Sequence, residues 1–137
     1  MNKAIPRYNR RDKQEFARKL RSRVNEYFES NNISRKGDSR AMFKALVMFS
    51  LYFAPYALMM SVEVTTWQYI LCSAIMGIGA AGIGLAVMHD ANHGSFSSVG
   101  WVNRLFGYSL NIIGGNSLSW RIQHNVLHHS FTNVRGL

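Results

Sequence analysis

The chain has a single cysteine, Cys72, so no internal disulfide can brace it and its redox compartment is left open. Histidine is absent from the first 88 residues; all five stand in two short words, HDANH at 89–93 and HNVLHH at 124–129. Charge is missing from two further stretches. ALVMFSLYFAPYALMMSV, residues 45–62, has none in 18 positions, and VTTWQYILCSAIMGIGAAGIGLAVM, residues 64–88, has none in 25. Only Glu63 separates the two runs.

What charge there is lies in front of them. Residues 1–44 carry 13 of the 16 lysines and arginines and five of the seven acids, a local balance of +8, while the other 93 residues carry +1. A mean hydropathy near zero therefore averages two unlike parts. A basic face suits nucleic acid or an anionic membrane surface. The apolar runs that follow decide for membrane lipid and against a nucleic-acid partner.

A helix rises about 1.5 Å per residue and needs roughly 20 apolar residues to cross a bilayer core. Both runs reach that length, the first only just, and together they predict a tight transmembrane hairpin with spans at 45–62 and 64–88. Ser39 is the expected cap of the first helix, and Thr65 with Gln68 has capping-box spacing for the second. Pro55 is expected to kink the first. A pair of buried core helices is the alternative, but so short a chain could hardly cover both. The first run begins after some 40 polar residues and not after a short basic stub, which is not the pattern expected of a signal peptide.

Ahead of the hairpin, DKQEFARKLRSRVNEYFE at 12–29 repeats Phe16, Leu20, Val24 and Tyr27 or Phe28 at helical spacing, with lysine and arginine on the other faces. Asp12 and Glu15 supply a start signal, and Asn31 through Gly37 a stop. This amphipathic basic helix either lies on a membrane surface or packs on the rest of the protein. Two regions result, a cytoplasmic basic region at 1–40 and a membrane region at 41–137. Basic residues ahead of the first span hold the N-terminus in the cytoplasm, and a two-span hairpin returns the chain to that side at His89.

The histidine words have the chemistry of a metal site. His89 and His93 are four apart and share a helical face, as do His124 and His128. His129 lies about 100° further round the helix, where its ring can reach a second ion beside the first. Imidazole suits iron, zinc, copper and nickel alike. Five histidines exceed one tetrahedral site, which favours a multinuclear centre or one still short of ligands. A bis-histidine haem carrier is the non-enzymatic alternative, although it leaves three histidines without work.

HDANHGSFS at 89–97 and WRIQHNVLHHSFTN at 120–133 resemble the first and second histidine boxes of the membrane fatty acid desaturases, particularly the subgroup related to linoleoyl-CoA and front-end desaturases. The resemblance covers the first third to half of such a protein. It implies an all-α integral membrane fold, here one transmembrane hairpin plus cytoplasmic interfacial helices, half of a four-span desaturase. It also implies two non-haem iron ions held by three histidine boxes on the cytoplasmic side, in the cell inner membrane if the source is bacterial. Dioxygen and two electrons would remove two hydrogens from a fatty acyl chain carried on CoA or lipid. Carried over by motif, His89, His93, His124, His128 and His129 are the metal ligands. A related diiron hydroxylase shares such boxes. The second box has three residues between His124 and His128 where many members have two, and a third box has no counterpart. The chain therefore reads as an N-terminal fragment, inactive alone, whose catalysis requires a C-terminal part. No HPGG word of the cytochrome b5 type is present, so the resemblance implies electrons from a separate electron-transfer protein, of cytochrome b5 or ferredoxin type, or from sequence beyond Leu137.

Asp90, Asn92, Asn125 and Asn133 lie in or beside the boxes and either orient the imidazoles or cap helices and turns. Arg121, beside Trp120, is placed to meet lipid phosphate or an acyl carrier, or to anchor the interface. The small residues from Gly77 to Gly84 let another helix approach closely or leave room for an acyl chain. Between the boxes, Val102, Leu105, Phe106, Leu110 and Ile113 form one stripe, which predicts an interfacial or re-entrant helix. A third span would put the two boxes on opposite faces of the membrane.

Overall fold

The computed structural model describes residues 14–131, and every regular element among them is helical. The chain divides into two compact units, Met1–Arg35 and Lys36–Leu137. Helix α1, Gln14–Ser30, makes up most of the described part of the first. Phe16, Leu20, Val24 and Tyr27 all stand exposed along it, as the periodicity requires of one stripe. The stop signal holds: Asn32 takes a positive φ of 50°, and Asn31 and Ile33 donate back to the carbonyls of Tyr27 and Phe28. Asp12 lies outside the described residues.

In the second unit α2 runs Ser39–Ser61 and α3 runs Thr66–Gly82. Asp38, not Ser39, caps α2; its carboxylate accepts from the Arg40 N–H at 2.9 Å, an interaction its charge strengthens at a helix N-terminus. Thr65 and Gln68 form the reciprocal capping box the spacing predicts. Pro55 sits inside α2 without ending it. α3 continues through a π-helical segment, Ile83–Met88, into the short helix α4, His89–Asn92, so that Thr66–Asn92 is one helical run of 27 residues. Both long helices have the length and composition to cross a bilayer.

Two glycines of α3, Gly79 and Gly82, pack on α2. A Cβ on Gly79 would stand 2.7 Å from the Tyr52 nitrogen and 3.0 Å from the Met48 carbonyl oxygen, and one on Gly82 would run into the Met48 thioether. Gly77 faces open space. A small core forms where the hairpin meets the first histidine box: Ala45, Val87, Ala91 and Phe96, with Phe49 and Phe106 packed around them. The Phe96 and Phe106 rings lie 4.6 Å apart.

The segment between the boxes is two helices, α5 Gly100–Gly107 and α6 Ser109–Ile112, not one. Neither has the roughly 20 residues a span needs. The interruption falls at Tyr108, between the two short helices. Gly107 lies so close to Asn92 that a Cβ there would come within 2.7 Å of its Oδ1. Val102, Phe106, Leu110 and Ile113 are all half-buried, so the stripe persists across the break, while Leu105 is exposed. Gly114, at φ 91°, turns the chain toward α7, Ser117–Arg121, which Asn116 caps by accepting from Ser119 N–H.

Candidate metal centre

Box one lies at the end of the helical run that begins with α3 and is reached through the π segment. Box two begins on a second π segment, Ile122–His128, which runs straight on from α7 into α8, His129–Phe131. Here the wide turn resolves the irregular spacing of the box. In an α-helix, residues five apart point about 140° from each other. The π turn closes i to i+5 bonds, and the His129 N–H donates to the His124 carbonyl, five residues back. As a result the His124 ring lies as near to His129, 4.8 Å between centroids, as to His128, 5.1 Å. The extra residue of HxxxHH is absorbed by the wider turn, and both terminal histidines stay beside the first.

The two boxes meet. His89 Nε2 and His124 Nε2 are 3.2 Å apart, and ligand nitrogens of His89, His93 and His124 all lie within 4.8 Å of one another. His129 closes the group from the other side, its ring 5.0 Å from that of His93. His128 stands on the outer side, stacked on His124. Two imidazole nitrogens bound at about 2.1 Å to one first-row ion are roughly 3.0–3.4 Å apart in octahedral or tetrahedral geometry. The observed nitrogen pair, at hydrogen-bond distance without an ion, matches that separation.

Electrostatics favour the ligand form of the rings. Desolvation, then the neighbouring charges of His89 and His129, lowers the His93 pKa from its ordinary value, against an opposing pull from Asp90. His124 is lowered in the same way, by desolvation first and then by the other four histidines. Metal binds the neutral imidazole, so crowding these rings together prepares them for an ion.

Around the rings lies a polar frame. Arg121 Nε donates to Asn92 Oδ1 at 2.6 Å, and the Asn92 amide donates to the Gly107 carbonyl at 3.3 Å. Asn125 donates to the Asn92 carbonyl at 3.4 Å, while its own Oδ1 is buried with no hydrogen-bond partner among the described residues, an acceptor open to a water or a ligand. Arg121, read from the sequence as meeting lipid phosphate or an acyl carrier or as an interface anchor, has its Nε on Asn92 and its guanidinium 5.8 Å from the Tyr108 ring centroid. Asp90 holds a different position, at 3.6 Å from His89 Nδ1. Asn133 lies outside the described residues.

Trp120 is the site residue that the sequence reading passed over as an interface anchor. Its ring stacks on His124 at 4.3 Å and 15°, and meets His89 and His93 edge-on at 5.6 and 5.9 Å. The signal was present, since Trp120 is four residues before His124 and must share its side of a helix. Lys44 had no such signal. It reaches Asp90 Oδ2 at 3.2 Å across 46 residues of chain.

Among the described residues the protein is all-helical and folds two histidine words into one cluster. Comparison with known sequences assigns the family. The fatty acid desaturase family model matches residues 65–136, and the chain belongs to that family. The chain is 33% identical over 121 residues to the sn-1 linoleoyl-lipid 6-desaturase of Arthrospira platensis, covering 88% of this chain and 33% of that protein. It is 35% identical over 132 residues to the acyl-lipid (8-3)-desaturase of Physcomitrium patens, covering 96% and 28%. With the chloroplastic acyl-lipid (7-3)-desaturase of Chlamydomonas reinhardtii it shares 35% identity, covering 95% and 24%. The chain thus spans about a third or less of the length of these relatives. No solved structure matches it.

Proposed function

We propose that this chain forms the first part of an oxygen-dependent fatty acyl desaturase, supplying the first two histidine boxes of a diiron centre. The observation that carries the reading is the 3.2 Å approach of His89 Nε2 to His124 Nε2, which unites two words 35 residues apart. His89, His93, His124, His128 and His129 hold the metal in this reading. Five imidazoles are too few for two irons with three boxes, so turnover requires further ligands. When bound, the irons would supply dioxygen activation and the removal of two hydrogens from an acyl chain, with electrons from a separate cytochrome b5 or ferredoxin type protein.

The residues of the chain orient and shield. Trp120 covers one side of the His124 ring and limits water there. Arg121 and Asn92 tie the second box to the first, fixing which faces of the rings converge. The two apolar helices set this cluster at a membrane boundary, within reach of an acyl chain carried on CoA or lipid. In the proposed topology the N-terminus and both boxes share the cytoplasmic side, and the short α5 and α6 lie at the interface.

The natural reading frame that includes residues 1–137, expressed in a host without desaturases, tests this. Bound non-haem iron and new double bonds in the membrane acyl chains are expected. A strong Soret band, with no non-haem iron and unchanged acyl chains, would replace the desaturase with the haem carrier.

A further inference from the structure

We propose that residues 36–44, which lead into α2, form a brace that sets the first histidine box, with Lys44 as the positioning residue for His89. The inference rests on the reading of His89 as a metal ligand.

Three contacts converge on box one from this one stretch. Lys36 Nζ donates to the Gly94 carbonyl at 2.6 Å, and the Gly37 N–H donates to the Ser95 carbonyl at 2.7 Å. Lys44 Nζ pairs with Asp90 Oδ2 at 3.2 Å. The fit at Gly37 is tight on backbone: an added Cβ would collide with the Phe96 carbonyl oxygen and stand 2.8 Å from Ala41 Cβ. Box one is shaped to receive these contacts. Gly94 turns the chain out of α4 with a φ of 67°, and the Asp90 carbonyl closes the turn by accepting from Ser95 N–H at 2.9 Å and Ser95 Oγ at 2.9 Å. Phe96, almost wholly buried, plugs the turn into the core.

The chemical consequence falls on His89. Asp90 presents its Oδ1 toward His89 Nδ1 at 3.6 Å, while the other ring nitrogen, Nε2, faces His124. That separation is just outside hydrogen-bond reach, so the carboxylate acts through its charge, which favours the tautomer with the proton on Nδ1 and leaves the Nε2 lone pair for the metal. Asp90 is two-fifths exposed, so without a second partner its carboxylate would turn freely into water. Lys44 holds one oxygen and thereby aims the other. A residue at the entry to the first long helix, outside both histidine words, thus selects the ring nitrogen that His89 offers.

The test uses the whole 137-residue chain in lipid nanodiscs. Nitrogen-15 NMR of the metal-free histidines reads the His89 tautomer, and Co(II) titration followed by ligand-field absorption reads the site. The wild type is expected to hold the Nδ1–H form at His89. Lys44→Met should give a mixture of tautomers and weaken Co(II) binding about 10- to 100-fold, the usual range for losing such a partner. Lys44→Arg should restore both, and Gly37→Ala should weaken binding with Lys44 intact. An unchanged His89 tautomer in Lys44→Met overturns the brace. Failure of the wild type to bind Co(II) overturns the metal reading instead, and the tautomer still decides the brace.

Discussion

The two histidine boxes are built differently, although their sequences look alike. Box one ends a 27-residue helical run, has Ala91 in the core, and is met by residues 36–44 from outside. Box two has no buried residue from Ile122 to Phe131. What holds it to box one is polar and stacking contact: Arg121 and Asn125 on Asn92, and His124 between Trp120 and His89. Box one is thus an anchored half and box two a docked half. Apolar burial survives the loss of any one contact, whereas a docked helix depends on the few polar bonds that orient it.

The largest expected effect tests which ring is shared. His124 touches all four other histidines and Trp120, and its Nε2 lies 3.2 Å from His89 Nε2, while His128 is exposed. His124→Ala should therefore abolish bound metal, and His128→Ala should lower the metal-to-protein ratio less, measured by elemental analysis of the same membranes. Equal loss in both would remove the distinction between a central and an outer ligand.

Next comes the dock itself. Arg121→Leu leaves the Asn92 Oδ1 without its donor, a cost of about 1–3 kcal/mol for an unsatisfied group, and should weaken metal binding about 10- to 100-fold. Arg121→Lys keeps the charge without the planar fork and should recover only part. Gly107→Ala presses on the same pair, since its Cβ would lie 2.7 Å from Asn92 Oδ1 and 3.2 Å from Arg121 Nη2. A destabilisation of about 1–3 kcal/mol is expected in unfolding of the solubilised chain. If Arg121→Leu binds metal like the wild type, box two is held by something other than this bond.

Amide hydrogen exchange sharpens the comparison without substitution. Residues 91–96 should be protected more strongly than residues 122–128, because burial and the 36–44 contacts must all be lost to open box one. Similar protection in the two would make them equally anchored. The smallest effect is on pH. His93 and His124 have folded pKa values below the ordinary 6.5 of histidine, so on acidification the unfolded chain takes up protons first. The metal-free chain should lose stability as pH falls below 6.5 and be unaffected by these two groups above it, a trend that thermal unfolding at pH 7.5 and pH 5 reads.

Local pattern and tertiary placement divide cleanly in this protein. The helices α1, α2 and α3, the Thr65 capping box, the stop at Asn31–Gly37 and the pairing of histidines within each word follow from short-range rules. Hydrophobic period and cap chemistry act over a few residues and are written in the chain itself. The family resemblance was legible for the same reason, since it lies in two contiguous words. The short interruption at Tyr108 between α5 and α6 has no comparable signal in the local pattern. Only the tertiary structure decided that His89 meets His124, that Arg121 turns inward to Asn92, and that Lys44 reaches Asp90. These pairs are 29 to 46 residues apart, and their meeting depends on how α3 packs on α2 through Gly79 and Gly82 and on where the π turns shift the register. A helical period sets which residues share a face; the angle at which two helices meet sets which faces share a metal.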